Sequence, residues 1–331
     1  MGGRRRMQRG HSGRTDDVLY AGTIGQGVQR SRDGGEHWEA INYGLPPSCD
    51  VRALAAHPEH PGLLLAGTER GCYRSQDGGL SWRPIRTIDE TIEVWSLYIC
   101  PHDPTLMLAG TRPGRLYSSR DSGHSWTQLP LDLPATTRVP TIAVDPEDTD
   151  TIYVGLQVGG LLRSVDGGHR WETINDGLTD LDVHSLCISA TSPPTLHVAT
   201  ATDIFRSRDW GEHWQALCLK EQLPLTHFRA LMCAPDNHDV LYATAGAAPF
   251  GETGALYRST DLGETWAPFQ GHVTLQSTLW TVAINAHQPR RIFAGTLRGQ
   301  LIRTLDGGRT WQDWQTGIED LRALVCVSTH P

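Results

Sequence analysis

One eight-residue pattern, Ser-x-Asp-x-Gly-x-x-Trp, occurs seven times in this chain, with Thr in place of Ser in the last copy. Its aspartates are Asp33, Asp77, Asp121, Asp166, Asp209, Asp261 and Asp306, spaced by 44, 44, 45, 43, 52 and 45 residues. A period of that length marks an array of supersecondary units, none of which can bury its apolar surface alone. The unit is legible in residues 51–85. VRALAA is an apolar run ending at the turn signal His57-Pro58. LLLAGT, GCYRSQD and SWRPI follow, separated by Gly-rich breaks. Four short strands with tight turns, and no stretch of helical apolar spacing, describe an antiparallel sheet.

Sheets of this kind bury both faces by stacking, either linearly with polar caps or around an axis. The phase of the chain selects the ring. It opens at a second strand, VLYAGT (18–23), and closes with a first strand, LRALVCV (321–327). That last strand supplies the inner strand missing from the blade begun at 17–41. The expectation is an all-β, seven-bladed β-propeller of four-stranded antiparallel blades over residues 17–331. The basic stretch 1–16 precedes it and reads as a disordered tail. In the repeated pattern Asp takes backbone N–H groups in the turn, Gly supplies the positive φ, and Trp covers the turn. All seven copies therefore read as structural.

The seven boxes, the A-G-T endings of second strands and the x-R-S-x-D-G-G of third strands resemble Asp-box (bacterial neuraminidase repeat) propellers. First strands such as VRALAAHP (51–58) and VWSLYICP (94–101) are most similar to single-ring relatives of sortilin- and xyloglucanase-type propellers. The resemblance implies fold more than activity, since such propellers include sialidases, endoglucanases, sorting receptors and assembly factors. The sialidase machinery does not carry over. It implies six blades and an N-terminal Arg-Ile-Pro, whereas the comparable tripeptide here, Arg138-Val139-Pro140, lies in mid-chain. The xyloglucanase mechanism implies a cleft between two propellers with an aspartate from each, and this chain reads as one ring.

Composition narrows the function classes. A net charge of -8 argues against a nucleic-acid surface. A single lysine, Lys220, leaves little room for Schiff-base chemistry. The N-terminal stretch lacks the apolar core of a secretory signal, and no run is long enough to span a membrane. Seven cysteines without C-x-x-C spacing read as apolar fillers, with Cys100, Cys187, Cys233 and Cys326 on inner strands. A cytoplasmic monomer without cofactor is expected.

Aligning the inner strands at the channel mouth gives one ring of Arg52, Trp95, Pro140, His184, Arg229, Trp280 and Arg322. Two positions earlier lies a second ring of Asp50, Glu93, Arg138, Asp182, His227, Thr278 and Asp320. Interlocking charges of this kind pack blades together. They also suit a pocket for an anionic or sugar-like ligand, with arginines for carboxylate or phosphate and Trp faces for a sugar ring. Ligand-binding candidates are Arg52, Trp95, His184, Arg229, Trp280 and Arg322. Three narrower readings accompany them. Asp182, His184 and His227 could hold a divalent metal. Glu93, Asp182 and Asp320 could supply an acid/base pair for glycoside hydrolysis. The insertion AGAAPFGETG (245–254) should project over the mouth, with Phe250 and Glu252 as a lid or a tolerated loop. No nucleophile elbow, phosphate loop or zinc signature is present. The leading expectation is a non-catalytic module holding a small anionic or carbohydrate ligand, or a protein partner, at the mouth. The rival is a glycan-active hydrolase or lyase using the same residues.

Overall fold

The computed structural model describes residues 17–191 and 193–328; the stretch 1–16 lies outside them. Seven four-stranded antiparallel sheets form a ring. Blade 1 begins with Leu321–Ser328 and continues with Asp17–Thr23, Val28–Ser31 and Glu39–Ala40. The inner strands of blades 2 to 7 are Val51–Ala56, Glu93–Ile99, Arg138–Val144, Val183–Ser189, His227–Cys233 and Leu279–Ile284. Each inner strand packs against the next, closing the circle. The ends of the chain pair as the phase of the repeats requires, from Asp17 opposite Ser328 to Thr23 opposite Leu321. Outer strands are shorter than the sequence suggests; Arg83–Pro84 is all that forms from SWRPI. The one helical element among the described residues is a single 3-10 turn at Leu219–Glu221. None of their helices could cross a membrane.

One apolar cluster fills each blade junction. Between blades 2 and 3, for example, Leu65 and Cys72 pack with Ile88, Val94, Met107 and Trp126. The Asp box locks the turn that faces each junction. Ser31 Oγ bonds Asp33 Oδ1 at 2.8 Å and accepts the Gly35 N–H at 2.8 Å. Asp33 then accepts the N–H of His37. The same three bonds recur in every box, through to Thr304, Asp306, Gly308 and Thr310. The box glycines have φ of 80–100°, and a Cβ on Gly35 would collide with Leu301 of the preceding blade. Glycine here serves both the turn and the close approach of two blades.

The arginine just before the box Ser or Thr has a role in four blades that sequence reasoning missed. There it crosses to the box of the next blade and donates to a carbonyl. Arg30 reaches Gly78 O (2.9 Å), Arg163 reaches Trp210 O (2.7 Å), Arg206 reaches Leu262 O (3.1 Å) and Arg303 reaches Gly34 O (3.0 Å). Glu212, Glu264 and Glu36 pair with the last three of these arginines. The repeated x-R-S therefore stitches neighbours together rather than decorating the surface.

The boxes make the ring acid-sensitive. The Thr310 hydroxyl and N–H hold the Asp306 carboxyl down at about 2. At Asp209 slight burial opposes the shift, but the N–H and ring of His213 and the Ser207 hydroxyl still bring it to about 2. A carboxyl depressed in the folded state stabilises above its unfolded pKa of about 3.9, and loses that contribution as pH falls towards 2. The melting temperature should therefore drop steeply between about pH 4 and pH 2. An Asp306→Asn variant, scanned by circular dichroism, should show a shallower drop over that window. Parallel wild-type and variant curves would refute the assignment.

Candidate functional site

The ring residues stand on a repeated irregularity. In all seven inner strands the pairing with the second strand shifts by one residue near the mouth. Examples are Val51/Ala53, Val94/Ser96, Val183/Ser185 and Leu279/Thr281. The extra residue is Arg52, Trp95, His184 or Trp280 in these blades. In blades 4 and 6 the shift spans Pro140 and Arg229, and in blade 1 it falls at Arg322. Such bulges remove a residue from the ladder and re-aim its side chain. Opposite the shift in blades 1, 2, 3 and 7 sits the glycine of A-G-T, as in Ala53 with Gly67 and Ser96 with Gly110. A Cβ on Gly67 would lie 2.7 Å from Val94 of the next blade. The A-G-T motif was thus a readable signal for the bulge, although alternation alone predicts a regular strand.

The structure brings Arg52, Trp95, Pro140, His184, Arg229, Trp280 and Arg322 around one cavity of about 240 Å³, joined by Gln157, Ser185 and Thr281. That wall holds three guanidinium groups and no carboxylate. The acids of the second ring are not part of that wall, and three of them face an arginine. Asp50 Oδ2 is 2.9 Å from Arg52, and Asp320 Oδ1 is 2.6 Å from Arg322. Glu93 accepts the Trp95 indole N–H at 2.9 Å and lies 3.5 Å from Arg112. Thr278 faces away from the cavity and bonds Ala248 O and Gly251 N of the inserted loop.

Each tryptophan is held between guanidiniums from its two neighbouring blades. Arg52 and Arg138 lie 4.9 and 4.5 Å from Trp95, and Arg229 and Arg322 lie 3.8 and 4.4 Å from Trp280. Cation–π contact shares the indole faces with these charges. The expectation of Trp faces offered to a sugar ring is therefore corrected: the faces are occupied by the protein's own arginines. Burial and then the Arg322 charge lower Arg229 to about 10; burial also lowers Arg322, opposed by Asp320 and reinforced by the Arg52 charge. The Nε groups of Arg52, Arg229 and Arg322 are buried without a partner.

Asp182, His184 and His227 come together without forming a metal centre. Both nitrogens of His184 face oxygens, Phe228 O at 2.6 Å and Asp182 Oδ2 at 3.5 Å. Arg229 Nη1 lies over the same ring, 3.2 Å from Nε2. His227 points Nδ1 at Ala201 O, and burial and then the charges of His184 and Arg229 push it down to about 4. Among the described residues no group of three or more His, Cys, Asp or Glu is placed to hold a metal ion. The inserted loop does reach the mouth: the Arg322 guanidinium lies 5.8 Å from the Phe250 ring, and Phe250 is 70% exposed. Glu252 is 3.9 Å from Arg298.

The Sortilin-Vps10 family, described as sortilin, neurotensin receptor 3, matches over residues 70–157. With seven Asp-box blades in place, the chain is similar to sortilin- and xyloglucanase-type propellers. A xyloglucanase from Hypocrea jecorina (strain QM6a) is 32% identical over 128 residues, which is 35% of this propeller and 14% of that enzyme. The GH74 xyloglucanase of Xanthomonas campestris superposes with a TM-score of 0.61 at 20% identity, covering 80% of this chain and 45% of the other. YCF48 bound to D1 peptide superposes with a TM-score of 0.58 at 19% identity, covering 82% and 83%. The propeller thus spans less than half of the xyloglucanases it matches, and the structural likenesses speak for its fold.

Proposed function

We propose that this propeller is a binding module whose channel mouth takes a small carboxylate-bearing ligand. The observation that carries the reading is the cavity wall, which presents Arg52, Arg229 and Arg322 and includes no carboxylate. Guanidinium groups bind carboxylate through short, charge-assisted hydrogen bonds. A volume of about 240 Å³ falls just below the usual range for small-molecule sites, which favours a compact ligand or one carboxylate-bearing end of a larger one.

The hydrolase reading draws support from the xyloglucanase likeness. Glycoside hydrolysis requires one carboxyl kept protonated near neutral pH. Asp182 is arranged the other way, held below the usual carboxylate range by His184 and Arg229. Glu93 lies 3.5 Å from Arg112 and Asp320 2.6 Å from Arg322.

Titration calorimetry against hydroxy acids, sugar acids and their neutral counterparts tests the choice. Saturable binding of the acids alone is the expected result. Binding and cleavage of neutral oligosaccharides would sink the reading in favour of the hydrolase, and silence across the panel would favour a protein partner.

A further inference from the structure

The inner strands of blades 5 and 6 carry a feature below the mouth that the binding reading does not use. The two strands are clamped in register by Ser185, whose hydroxyl accepts the Leu231 N–H at 3.0 Å and donates to Leu231 O at 3.2 Å. Two residues further along each strand, Cys187 and Cys233 meet. They pack against the same apolar cluster, with each thiol inside the electrostatic reach of the other. Ser189 Oγ lies 3.5 Å from Cys233 Sγ on the far side. Both cysteines lie on innermost strands and keep partial exposure. The other five cysteines have different surroundings: Cys49, Cys72 and Cys100 are buried, Cys218 is on the surface, and Cys326 sits beside Asp17.

We propose that Cys187 and Cys233 form a dithiol site that a hydroperoxide converts into a disulfide between blades 5 and 6. The roles of the two sulfurs differ. Burial pushes the Cys187 thiol well up, so it remains a hydrogen-bond donor. Ser189 Oγ, 3.5 Å from Cys233 Sγ, is placed to donate to a thiolate there, and the thiolate is the nucleophile. The Cys233 sulfur attacks the peroxide O–O bond, forming a sulfenic acid and releasing water or an alcohol. Cys187 then attacks that sulfur, its proton leaving with the hydroxyl as water. With hydrogen peroxide two thiols are oxidised, and one peroxide is reduced to two waters. The new bond would tie together the two strands whose mouth ends hold His184 3.2 Å from Arg229.

The test uses the full chain treated with hydrogen peroxide, alkylated under denaturing conditions and digested without reductant. A linked pair of peptides containing Cys187 and Cys233, lighter by two hydrogens than the separate peptides, is expected. It should be accompanied by a raised melting temperature that dithiothreitol reverses. In Cys187→Ser, dimedone should capture the sulfenic acid on Cys233. Two outcomes would overturn the proposal: Cys233 left reduced under peroxide that oxidises surface Cys218, or Cys233 over-oxidised in the wild-type chain with no linked peptide. The wild-type experiment decides the matter even if the variant folds poorly.

Discussion

Replacing Asp17 with alanine is expected to cost about 3–5 kcal/mol of stability, the scale set by breaking a buried ion pair from one side. Asp17 is fully buried on the second strand of blade 1. Its carboxylate accepts from Asn285 Nδ2 at 2.5 Å and from Arg291 Nη1 at 2.9 Å, both contributed by blade 7. Removing it strands a guanidinium and an amide in the seam that closes the ring. Arg303 and Leu301 of blade 7, docked on the blade 1 box, would then carry more of that seam. Asp17→Asn should lose less, because it can keep an acceptor for Asn285. An Asp17→Ala, Arg291→Met double variant should recover part of the loss, since the orphaned charge goes with it. Urea midpoints measure all three, and an Asp17→Ala loss below about 1 kcal/mol would show the pair to be dispensable.

The second large effect concerns affinity. Arg229→Gln is expected to weaken carboxylate binding about 10- to 100-fold, since hydrogen bonds to charged groups contribute roughly 1.5–3 kcal/mol. Arg229 is the most committed of the three wall arginines, stacked 3.8 Å from Trp280 and set over the His184 ring. Glutamine keeps a donor and much of the packing volume but removes the charge, so stability should change less than affinity. Calorimetry of Arg52→Gln, Arg229→Gln and Arg322→Gln against one hydroxy acid gives the comparison. Equal affinity across the three variants and wild type would remove the mouth from consideration as an anion site.

The architecture was legible because the boxes count blades and the phase of the chain fixes the closing strand. Both are properties of spacing, which survives without coordinates. The two rings were found because equivalent positions of a repeat share one place on the axis. What alternation could not supply was the bulge under each ring residue, since a period of two carries no trace of one added residue. Side-chain partners were equally hidden. Trp280 and Arg229 lie 51 positions apart in sequence and on different blades, so nothing local announces that guanidinium covers indole. Cys187 and Cys233 read as fillers for the same reason: their pairing depends on the register between blades, which the period of 44 or 45 residues only approximates.

The bulges have a consequence for how such a protein diversifies. A side chain lifted out of the ladder can be exchanged without disturbing strand pairing or the apolar clusters between blades. The seven mouth positions therefore behave as letters of an address written on a constant page. In this chain the letters are read jointly, because Arg52-Trp95-Arg138 and Arg229-Trp280-Arg322 each span three consecutive blades. A new specificity would be spelled in triplets, with a change of one tryptophan releasing two arginines at once.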